Sequence, residues 1–418
     1  MAPSTPSTTS QSRNVSSSSS PPSPSSSSPP PPPPPPNKNP NKPSPAPPRP
    51  SSSILLLSPT NEVLLLHRVQ TSSSFPSAHV FPGGNCEAFH DGELPDVGSE
   101  GRHADGPAYR WAGVRECFEE SGILLVKDSG NGGGEGGGMV EEGVRERARK
   151  EVHGGTRRFG DVLAEWGVVG DVDNLIPFTR WITPTNAPKR FTTQMYLYLM
   201  PLAPETPPSS PTTTTTTTTT PTGAAPLPLP LPLTHEAVIP LPTPDGGVEH
   251  TAARFLPAHA WLDLARAGDI ILFPPQFFLL HLVAQHVCST PPSSPSPSPS
   301  SSSPSPSPSP SSPPQPRSLL QRQRDSLLSF VREGGWGEKC ISPAVVGGGR
   351  RKSDGRVVLA LDKPGWELEG SGREGVREYV VLVDFRREGP RRVEVGLRSE
   401  VLAEDRERER ERVGEGKL

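Results

Sequence analysis

The sequence predicts an α/β fold, in which strands and helices alternate around one site. Two apolar runs, residues 53–57 and 63–68, flank the turn-forming stretch SPTN at 58–61, and this pattern is typical of a β-hairpin. Residues 109–121 contain no proline and are followed by Gly122, the residue type that commonly terminates a helix. Because strands and helices are interleaved along the chain, an α/β architecture is expected.

The remaining predicted elements continue this alternation. Five further strands are predicted from apolar runs at 123–126, 178–183, 191–199, 357–361 and 379–385. Three further helices are predicted at 258–266, 275–287 and 318–333.

The composition is uneven along the chain. Pro contributes 58 and Gly 40 of the 418 residues, and only 31% of residues are hydrophobic, which excludes one compact globule spanning the whole chain. Residues 1–50 are almost entirely Ser, Pro and Thr and are expected to be disordered. A Gly-rich run at 129–138, a Pro/Thr stretch at 203–233 and a Ser/Pro repeat at 289–316 have the same character. Since loop closure costs only about 0.6 kcal/mol per doubling of length, such inserts can interrupt one domain without destroying it.

Charge and cysteine content exclude several classes of protein. The net charge is −3, so no general attraction to nucleic acid or to an anionic membrane is expected, and an anionic substrate must be held by a local site. The four cysteines are scattered without a CxxC pair, which argues against a zinc knuckle and a disulfide scaffold. No window reaches the length of uninterrupted apolar residues that a membrane helix needs. We expect a soluble protein with no nucleic-acid partner and no membrane span.

The densest chemical signal lies at the end of the helix predicted at 109–121. Glu116, Glu119 and Glu120 are three and four positions apart, so on a helix they share one face. Three neighbouring carboxylates repel one another unless a cation neutralises them, and Mg²⁺ or Mn²⁺ prefers such oxygen ligands. Arg115 could pair with one carboxylate and orient it. The alternative is a solvated acidic face of the helix.

Together with FPGG at 81–84, the sequence RECFEESGI at 115–123 resembles the Nudix box, Gx5Ex7REUxEExGU, of the Nudix hydrolases. The second half of the box matches at its fixed letters, with Cys117 at the first aliphatic position. The first half departs from the pattern in two ways. His90 stands where the first glutamate is expected, and Gly84 and Arg115 are 31 positions apart, about 17 more than in the uninterrupted box. The candidates to replace that glutamate are Asp91, Glu93 and Glu100.

An interrupted box resembles the subgroup of peroxisomal coenzyme A (CoA) diphosphatases, in which an insert splits the same motif. The segments RWITPT at 180–185, RFTT at 190–193 and FPPQF at 273–277 are similar to elements of that subgroup. The resemblance implies a Nudix-type α-β-α sandwich with a mixed sheet and long disordered insertions. It also implies a metal-dependent hydrolase that cleaves CoA or acyl-CoA to adenosine 3′,5′-bisphosphate and (acyl-)4′-phosphopantetheine.

The resemblance assigns roles to particular residues. Glu116, Glu119 and Glu120 are expected to hold Mg²⁺ or Mn²⁺, with Glu119 as an additional ligand or a base that orients water, and Arg115 is expected to orient a carboxylate. The expected substrate-binding residues are two loop glycines and three arginines: Gly83, Gly84, Arg68, Arg180 and Arg190. Two alternatives stay open, namely a Nudix hydrolase of another nucleoside diphosphate derivative and an inactive Nudix-fold interaction protein.

The domain organisation follows from the composition and the resemblance. We expect a tail at 1–50, a catalytic domain at 51–288 with inserts at 85–107, 129–152 and 202–234, a linker at 289–316, an annex of the catalytic domain at 317–400 and a charged tail at 401–418. The C-terminal Gly416-Lys417-Leu418 is similar to the peroxisomal SKL signal, so a peroxisomal location is expected, with cytoplasmic and mitochondrial locations as alternatives.

Overall fold

The computed structural model describes residues 45–70, 77–128, 140–202, 242–243, 245, 250–287, 316–351 and 354–415. The strands are β1 (Arg49–Leu57), β2 (Val63–Arg68), β3 (His79–Val80), β4 (Gly83–Asn85), β5 (Val126–Asp128), β6 (Val168–Gly170), β7 (Ile176–Ile182), β8 (Phe191–Leu199), β9 (His250–Leu256), β10 (Cys340–Ile341), β11 (Ala344–Arg350), β12 (Val357–Leu361), β13 (Val376–Arg386) and β14 (Gly389–Leu397). The helices are α1 (Ala88–Asp91), α2 (Pro107–Ser121), α3 (Glu142–His153), α4 (Phe159–Glu165), α5 (Ala258–Ala267), α6 (Pro274–Ala284), α7 (Arg317–Glu333) and α8 (Arg398–Glu415).

The central layer is a mixed sheet with strand order β10-β7-β8-β1-β2-β3, in which β4 also pairs with β1 and β9 with β2. Strands β1 and β8 run parallel, from the pair Arg49 and Phe191 to the pair Leu57 and Leu199. Strands β2, β4 and β9 join antiparallel to their neighbours. Strands β1 and β2 are therefore paired with neighbours on both edges. Because β4 pairs with β1, the loop between β3 and β4 is fixed relative to the rest of the sheet.

Alternate residues of β1 and β2 enter two different cores. Leu55 and Leu57 pack into a core that contains α5, α6 and α7, whereas Ile54 and Leu56 pack into a second core with α2 and α4. Successive side chains of a strand point to opposite faces, so a strand covered on both faces is apolar throughout. Helices thus cover both faces of the mixed sheet, which confirms the predicted α/β sandwich.

Helix α2 lies close against β1. A Cβ atom added to Gly113 would lie 2.9 Å from Ser52 Oγ and 3.2 Å from Ile54 Cγ1, so glycine permits the close approach. The helix has Pro107 in its first turn and ends at Gly122, which adopts the left-handed conformation (φ 70°). Both ends of the helix that carries the acidic cluster are therefore fixed by local sequence.

The residues that follow the Ser/Pro repeat pack onto the same core as the central sheet. Strands β11 to β14 form a four-stranded antiparallel sheet, and Leu361, Val381 and Val383 of this sheet share a core with Leu55 of β1. In helix α7, the guanidinium of Arg324 donates to Asn61 Oδ1 (2.6 Å), to the carbonyl of Ser58 (2.7 Å) and to the carbonyl of Met200 (2.6 Å). Burial lowers the pKa of Arg324 to about 10. Helix α7 is thus fastened to the turn between β1 and β2.

Several predicted elements differ from the structure. The strand predicted at 123–126 is wrong over most of its length, because residues 122–125 are irregular and β5 begins at Val126; Ile123 and Leu125 are apolar because they fill the core beside α2. Strand β1 begins at Arg49, inside the predicted tail. The predicted insert 85–107 contains α1 and a 3₁₀ turn, and the insert predicted at 129–152 contains most of α3. Sequence patterns did not indicate these short elements, nor α4, β9, β11 and β14, whereas the Arg-Glu alternation at 405–412 suits the helix α8 that the structure has there.

Other predictions fall outside the described residues. These are the tail up to residue 44, the Gly-rich run at 129–138, the Pro/Thr stretch at 203–233, the Ser/Pro linker from 289 to 315 and the tripeptide 416–418. The domain boundaries themselves stay a prediction. Within the described part of the chain, no helix combines the length and the apolar character that crossing a membrane requires.

Candidate active site

Arg115 of α2 is the centre of a buried network of carboxylates. Its side chain is 2% exposed, and its Nε and Nη2 donate to the two oxygens of Asp91, each at 2.9 Å. Its Nη1 donates to Glu119 Oε1 (2.8 Å) and Glu116 Oε1 (3.0 Å), and Nη2 also donates to the carbonyl of Asn85 (2.8 Å). One guanidinium therefore aligns two box glutamates of α2 with the loop that follows β3.

Of the three candidates for the first box glutamate, Asp91 is the one that pairs with Arg115. Its side chain is 1% exposed, it binds Arg115 with both oxygens, and Oδ2 also accepts from the backbone N–H of Glu87 (2.7 Å). The other two candidates, Glu93 and Glu100, are exposed. Such a two-pronged pair between a guanidinium and a carboxylate fixes both groups in direction as well as in position.

Gly83 and Gly84 bring the loop into contact with the acidic helix. A Cβ atom on Gly84 would lie 2.4 Å from Glu116 Oε1, and one on Gly83 would lie 2.3 Å from the carbonyl oxygen of Ser52. The backbone N–H of Gly83 donates to Glu120 Oε2 (2.7 Å). Only glycine fits at both positions, so the loop is shaped to place Glu116 and Glu120 against the backbone of β4.

Glu119 has a hydrogen-bond partner on each of its two carboxylate oxygens. Oε1 accepts from Arg115, and Oε2 lies 3.2 Å from Nδ1 of His153 at the end of α3. Helix α3 is itself attached to α2, since Nε of Arg149 donates to the carbonyl of Glu119 (2.6 Å). Glu119 is thus directed toward α3.

Glu120 faces a buried histidine from a distant part of the chain. Nε2 of His250, at the start of β9, lies 3.6 Å from Glu120 Oε1, and Nδ1 lies 3.4 Å from Asp245 Oδ2. The side chain of His250 is fully buried, and its Nε2 has no hydrogen-bond partner within the described residues. Strand β9 pairs His250 with Arg68 of β2. The histidine therefore closes the site on the side opposite the loop.

Burial and charge set the protonation of these groups. Burial, together with the nearby Glu119 and Asp91 and against the charge of Arg115, raises the pKa of Glu116 to about 8. Burial also raises the pKa of Glu119, but the hydrogen bond from His153 and the charge of Arg115 outweigh it and leave that pKa below its ordinary value. Burial and the charge of Arg68 lower the pKa of His250 to about 4. At neutral pH, His250 is therefore neutral, and a further cation beside Glu116 would favour the ionised form of that carboxyl group.

The three arginines expected to contact phosphate occupy different environments. Arg68 is half-buried at the end of β2, beside His250. Arg180 is fully buried, where it donates to Gln194 Oε1 (2.8 Å) and to the carbonyl of Ala104 (2.7 Å) and stacks on the ring of Tyr109 at 4.4 Å. Arg180 therefore holds β7 to the neighbouring segments, and its phosphate contact stays a prediction.

Arg190 is largely buried and also holds the chain together. Its Nε donates to the carbonyl of Thr183 (3.0 Å), its Nη1 to the carbonyl of Ala46 (2.9 Å), and its Nη2 pairs with Glu367. One side of this arginine lines a surface cavity that also includes Asn85, next to Gly84. Arg190 thus lies near the site without facing the acidic helix.

Three residues of the site had no sequence signal. Asp245 and His250 follow the long Pro/Thr stretch. His153 is the last residue of α3, most of which lies in the segment that the sequence predicts to be an insert. Their positions depend on packing between segments that are far apart in sequence. A lone histidine in a sequence does not reveal such a contact. The split box, by contrast, correctly indicates α2 as the helix that carries the acidic cluster.

The three box glutamates offer the oxygen ligands that a divalent cation prefers. Glu116 is the most exposed of the three box glutamates, at 12% of its side chain, and Glu120 lies one turn further along α2. Over the ranges that the structure describes, no three His, Cys, Asp or Glu side chains converge in the way a bound metal ion requires. Glu119 is paired with Arg115 and His153, and Glu116 also accepts from Arg115, so the choice of metal ligands stays a prediction.

A family model and several curated proteins resemble this chain. The family described as the NUDT19 Nudix domain matches residues 97–226, which include α2, Arg180 and Arg190. "Putative nudix hydrolase 7" of Caenorhabditis elegans is 32% identical over 154 residues, which are 36% of this chain and 43% of that protein. "Acyl-coenzyme A diphosphatase NUDT19" of Gallus gallus is 28% identical over 186 residues, covering 34% of this chain and 49% of that protein.

The chain thus spans about half or less of the length of the curated relatives it matches. Among solved structures, a NUDIX hydrolase from Alicyclobacillus acidocaldarius superposes with a TM-score of 0.39 at 19% identity, over 56% of this chain and 90% of that one.

Proposed function

Because the chain carries a Nudix domain that resembles that of the coenzyme A diphosphatases, we propose that it is a metal-dependent hydrolase of CoA and acyl-CoA. The reaction adds water across the diphosphate and yields adenosine 3′,5′-bisphosphate and (acyl-)4′-phosphopantetheine. The observation that carries the proposal is the Arg115 network, in which Asp91 restores the buried carboxylate that the box otherwise lacks.

In the proposed site, two carboxylates bind the cation, and the backbone of the Gly83-Gly84 loop holds these carboxylates in place. Glu116 and Glu120 would hold Mg²⁺ or Mn²⁺, and Glu119 would add a ligand or orient water if it turned from Arg115. When bound, the cation neutralises charge on the diphosphate and lowers the pKa of a coordinated water. The N–H of Gly83 keeps one oxygen of Glu120 in place, so the other oxygen is directed toward His250 and the site.

We propose different roles for Arg115 and Arg68. Arg115 is surrounded by carboxylates and serves to position them, since its guanidinium makes five hydrogen bonds, four of them to carboxylate oxygens. Arg68 is half-buried beside His250 and is the arginine of β2 that we assign to a phosphate contact. Guanidinium groups suit this role because they bind phosphate oxygens in pairs.

A substrate panel tests the proposal. The full chain is incubated with Mg²⁺ or Mn²⁺ and, in parallel, with acetyl-CoA, ADP-ribose or a dinucleoside diphosphate, and the products are separated by liquid chromatography and identified by mass. We expect 4′-phosphopantetheine derivatives from acetyl-CoA as the main product. Cleavage of ADP-ribose or the dinucleotide without cleavage of acetyl-CoA would reject the CoA assignment, and no cleavage of any substrate would favour an inactive interaction protein.

Variants of the acidic helix test the metal assignment. Glu120→Gln should abolish turnover, because it removes one charged ligand, while the amide oxygen of Gln can still accept from the N–H of Gly83. Glu142→Gln is the matched control, since Glu142 is exposed on α3 and away from the network. Equal activity of the two variants would contradict the assignment of Glu120.

A further inference from the structure

The side chain of His250 presents an unsatisfied nitrogen to the acidic helix α2. The ring is fully buried, and its Nε2 has no hydrogen-bond partner among the residues that the structure describes. Oε1 of Glu120 lies 3.6 Å from this nitrogen, which is too far for a hydrogen bond. A buried polar atom without a partner is costly, so the place of Nε2 beside Glu120 needs a physical reason.

Asp245 sets the tautomer of this ring. Nδ1 of His250 lies 3.4 Å from Asp245 Oδ2, and the backbone N–H of His250 donates to both oxygens of Asp245, each at 3.1 Å. Because an ionised carboxylate only accepts hydrogen bonds, Nδ1 is the ring nitrogen that carries the proton. Nε2 therefore keeps its lone pair, beside a carboxylate oxygen of Glu120.

A lone pair and a carboxylate oxygen at this separation suit a shared cation. Metal bonds to imidazole nitrogen and to carboxylate oxygen are about 2.0–2.2 Å long, so one ion can contact both atoms across 3.6 Å. Histidines that bind metal ions usually donate their other ring N–H to a carboxylate or a carbonyl, as His250 does to Asp245. Such ions complete their coordination with water and substrate phosphate, so two protein ligands are sufficient.

Charge favours a cation over a water molecule at this point. The guanidinium of Arg115 is shared by three carboxylates, those of Asp91, Glu116 and Glu119. Glu120 adds a fourth carboxylate, which the N–H of Gly83 holds by Oε2 (2.7 Å). A water molecule could satisfy a buried nitrogen but would leave this negative charge in place, whereas a divalent cation offsets it.

We propose that Nε2 of His250 is a ligand of the divalent cation, which it binds together with Glu120. This inference rests on the proposed function, since that function places the cation at the box glutamates. Imidazole nitrogen is a better ligand for transition-metal ions than for Mg²⁺, which prefers oxygen. The chain therefore binds Mn²⁺ more tightly than Mg²⁺, and His250 is the residue responsible for this preference.

Pulsed electron paramagnetic resonance of Mn²⁺ bound to the untagged full chain tests the inference without substrate. A nitrogen ligand gives a hyperfine coupling to Mn²⁺ that oxygen ligands do not give. We expect this coupling in the wild-type chain and its loss in His250→Gln, which offers an amide oxygen in place of the ring nitrogen. His153→Gln is the matched control and should retain the coupling, because His153 contacts Glu119 rather than Glu120.

Isothermal titration with each metal gives a second readout. His250→Gln should lower the affinity for Mn²⁺ by about tenfold or more and leave the affinity for Mg²⁺ unchanged. Equal Mn²⁺ affinities of His250→Gln and the wild type, or a nitrogen coupling that persists in His250→Gln, would overturn the inference. Absence of the coupling from the wild-type chain with Mn²⁺ bound would also overturn it, so the test does not depend on the folding of a variant.

The two readouts separate this inference from the proposed function. If the nitrogen coupling is present but acetyl-CoA is not cleaved, the ligand assignment stands and the proposed function fails. If acetyl-CoA is cleaved with Mn²⁺ and the coupling is absent, the ligand assignment fails and the proposed function stands.

Discussion

Replacing Asp91 by asparagine tests whether this residue completes the interrupted box. The substitution keeps the size of the side chain but removes its charge, and it turns an amide N–H₂ group toward the guanidinium of Arg115. Both side chains are at most 2% exposed, and Asp91 accepts two hydrogen bonds of 2.9 Å from Arg115. The variant therefore leaves a buried cation with one carboxylate fewer.

The expected magnitude follows from the partners that remain. Removing one member of a buried ion pair costs about 3–5 kcal/mol. Because Glu116 and Glu119 still face Arg115, we expect the lower end, about 3 kcal/mol of unfolding free energy. For a domain of this size, such a loss lowers the Tm by roughly 6–12 °C. Activity should fall further than stability explains, since Arg115 would shift the carboxylates it positions.

The assay combines thermal unfolding with hydrolysis of acetyl-CoA at a temperature where all variants are folded. Glu93→Gln and Glu100→Gln are the controls, because these exposed residues are the other two candidates for the first box glutamate. Each should change the unfolding free energy by less than about 0.5 kcal/mol and leave turnover intact. A loss of activity in Glu93→Gln or Glu100→Gln, with Asp91→Asn unaffected, would refute the assignment.

Three further substitutions test the packing around the site. Gly84→Ala should lower kcat by about 100-fold, because the added Cβ would lie 2.4 Å from Glu116 Oε1. Gly101→Ala is the control and should have no effect, since the nearest atom to its added Cβ is 3.7 Å away; equal kcat values for the two variants would contradict the close approach at Gly84. Arg324→Met should lower the unfolding free energy measured in urea by about 3 kcal/mol, since it strands three buried acceptors; an unchanged midpoint would show that helix α7 is not fastened by this residue. Arg180→Lys should lower the Tm but leave the KM for acetyl-CoA unchanged; a raised KM at unchanged Tm would support its predicted role as a phosphate contact.

The elements that sequence predicts well are those with strong local signals. Residues 54–57 of β1 and 63–66 of β2 are continuously apolar because both faces of the sheet are covered there, and helix α2 has Pro107 at its start and Gly122 at its end. The run of residues 123–126 has the same apolar character but is irregular, because burial beside α2, rather than strand pairing, selects its apolar residues.

The contacts of the site could be predicted only where they lie within the box. The spacing of Glu116, Glu119 and Glu120 placed them on one helix, and local geometry keeps them there. Asp91 is 24 positions from Arg115, and His250 follows the Pro/Thr stretch, so their contacts depend on how distant segments pack. The burial of Arg180 is a further case, because an arginine in a strand looks the same in sequence whether it faces solvent or a tyrosine ring.

The measurement that tests the central claim most directly is the appearance of acetyl-4′-phosphopantetheine from acetyl-CoA. The full chain and the Glu120→Gln variant are compared with Mg²⁺ or Mn²⁺ and with a chelator in place of the metal. We expect stoichiometric formation of acetyl-4′-phosphopantetheine and adenosine 3′,5′-bisphosphate by the wild-type chain with metal, and neither product from the variant or in the chelator. Formation of both products by Glu120→Gln at the wild-type rate, or their absence from the wild-type reaction with either metal, would contradict the account.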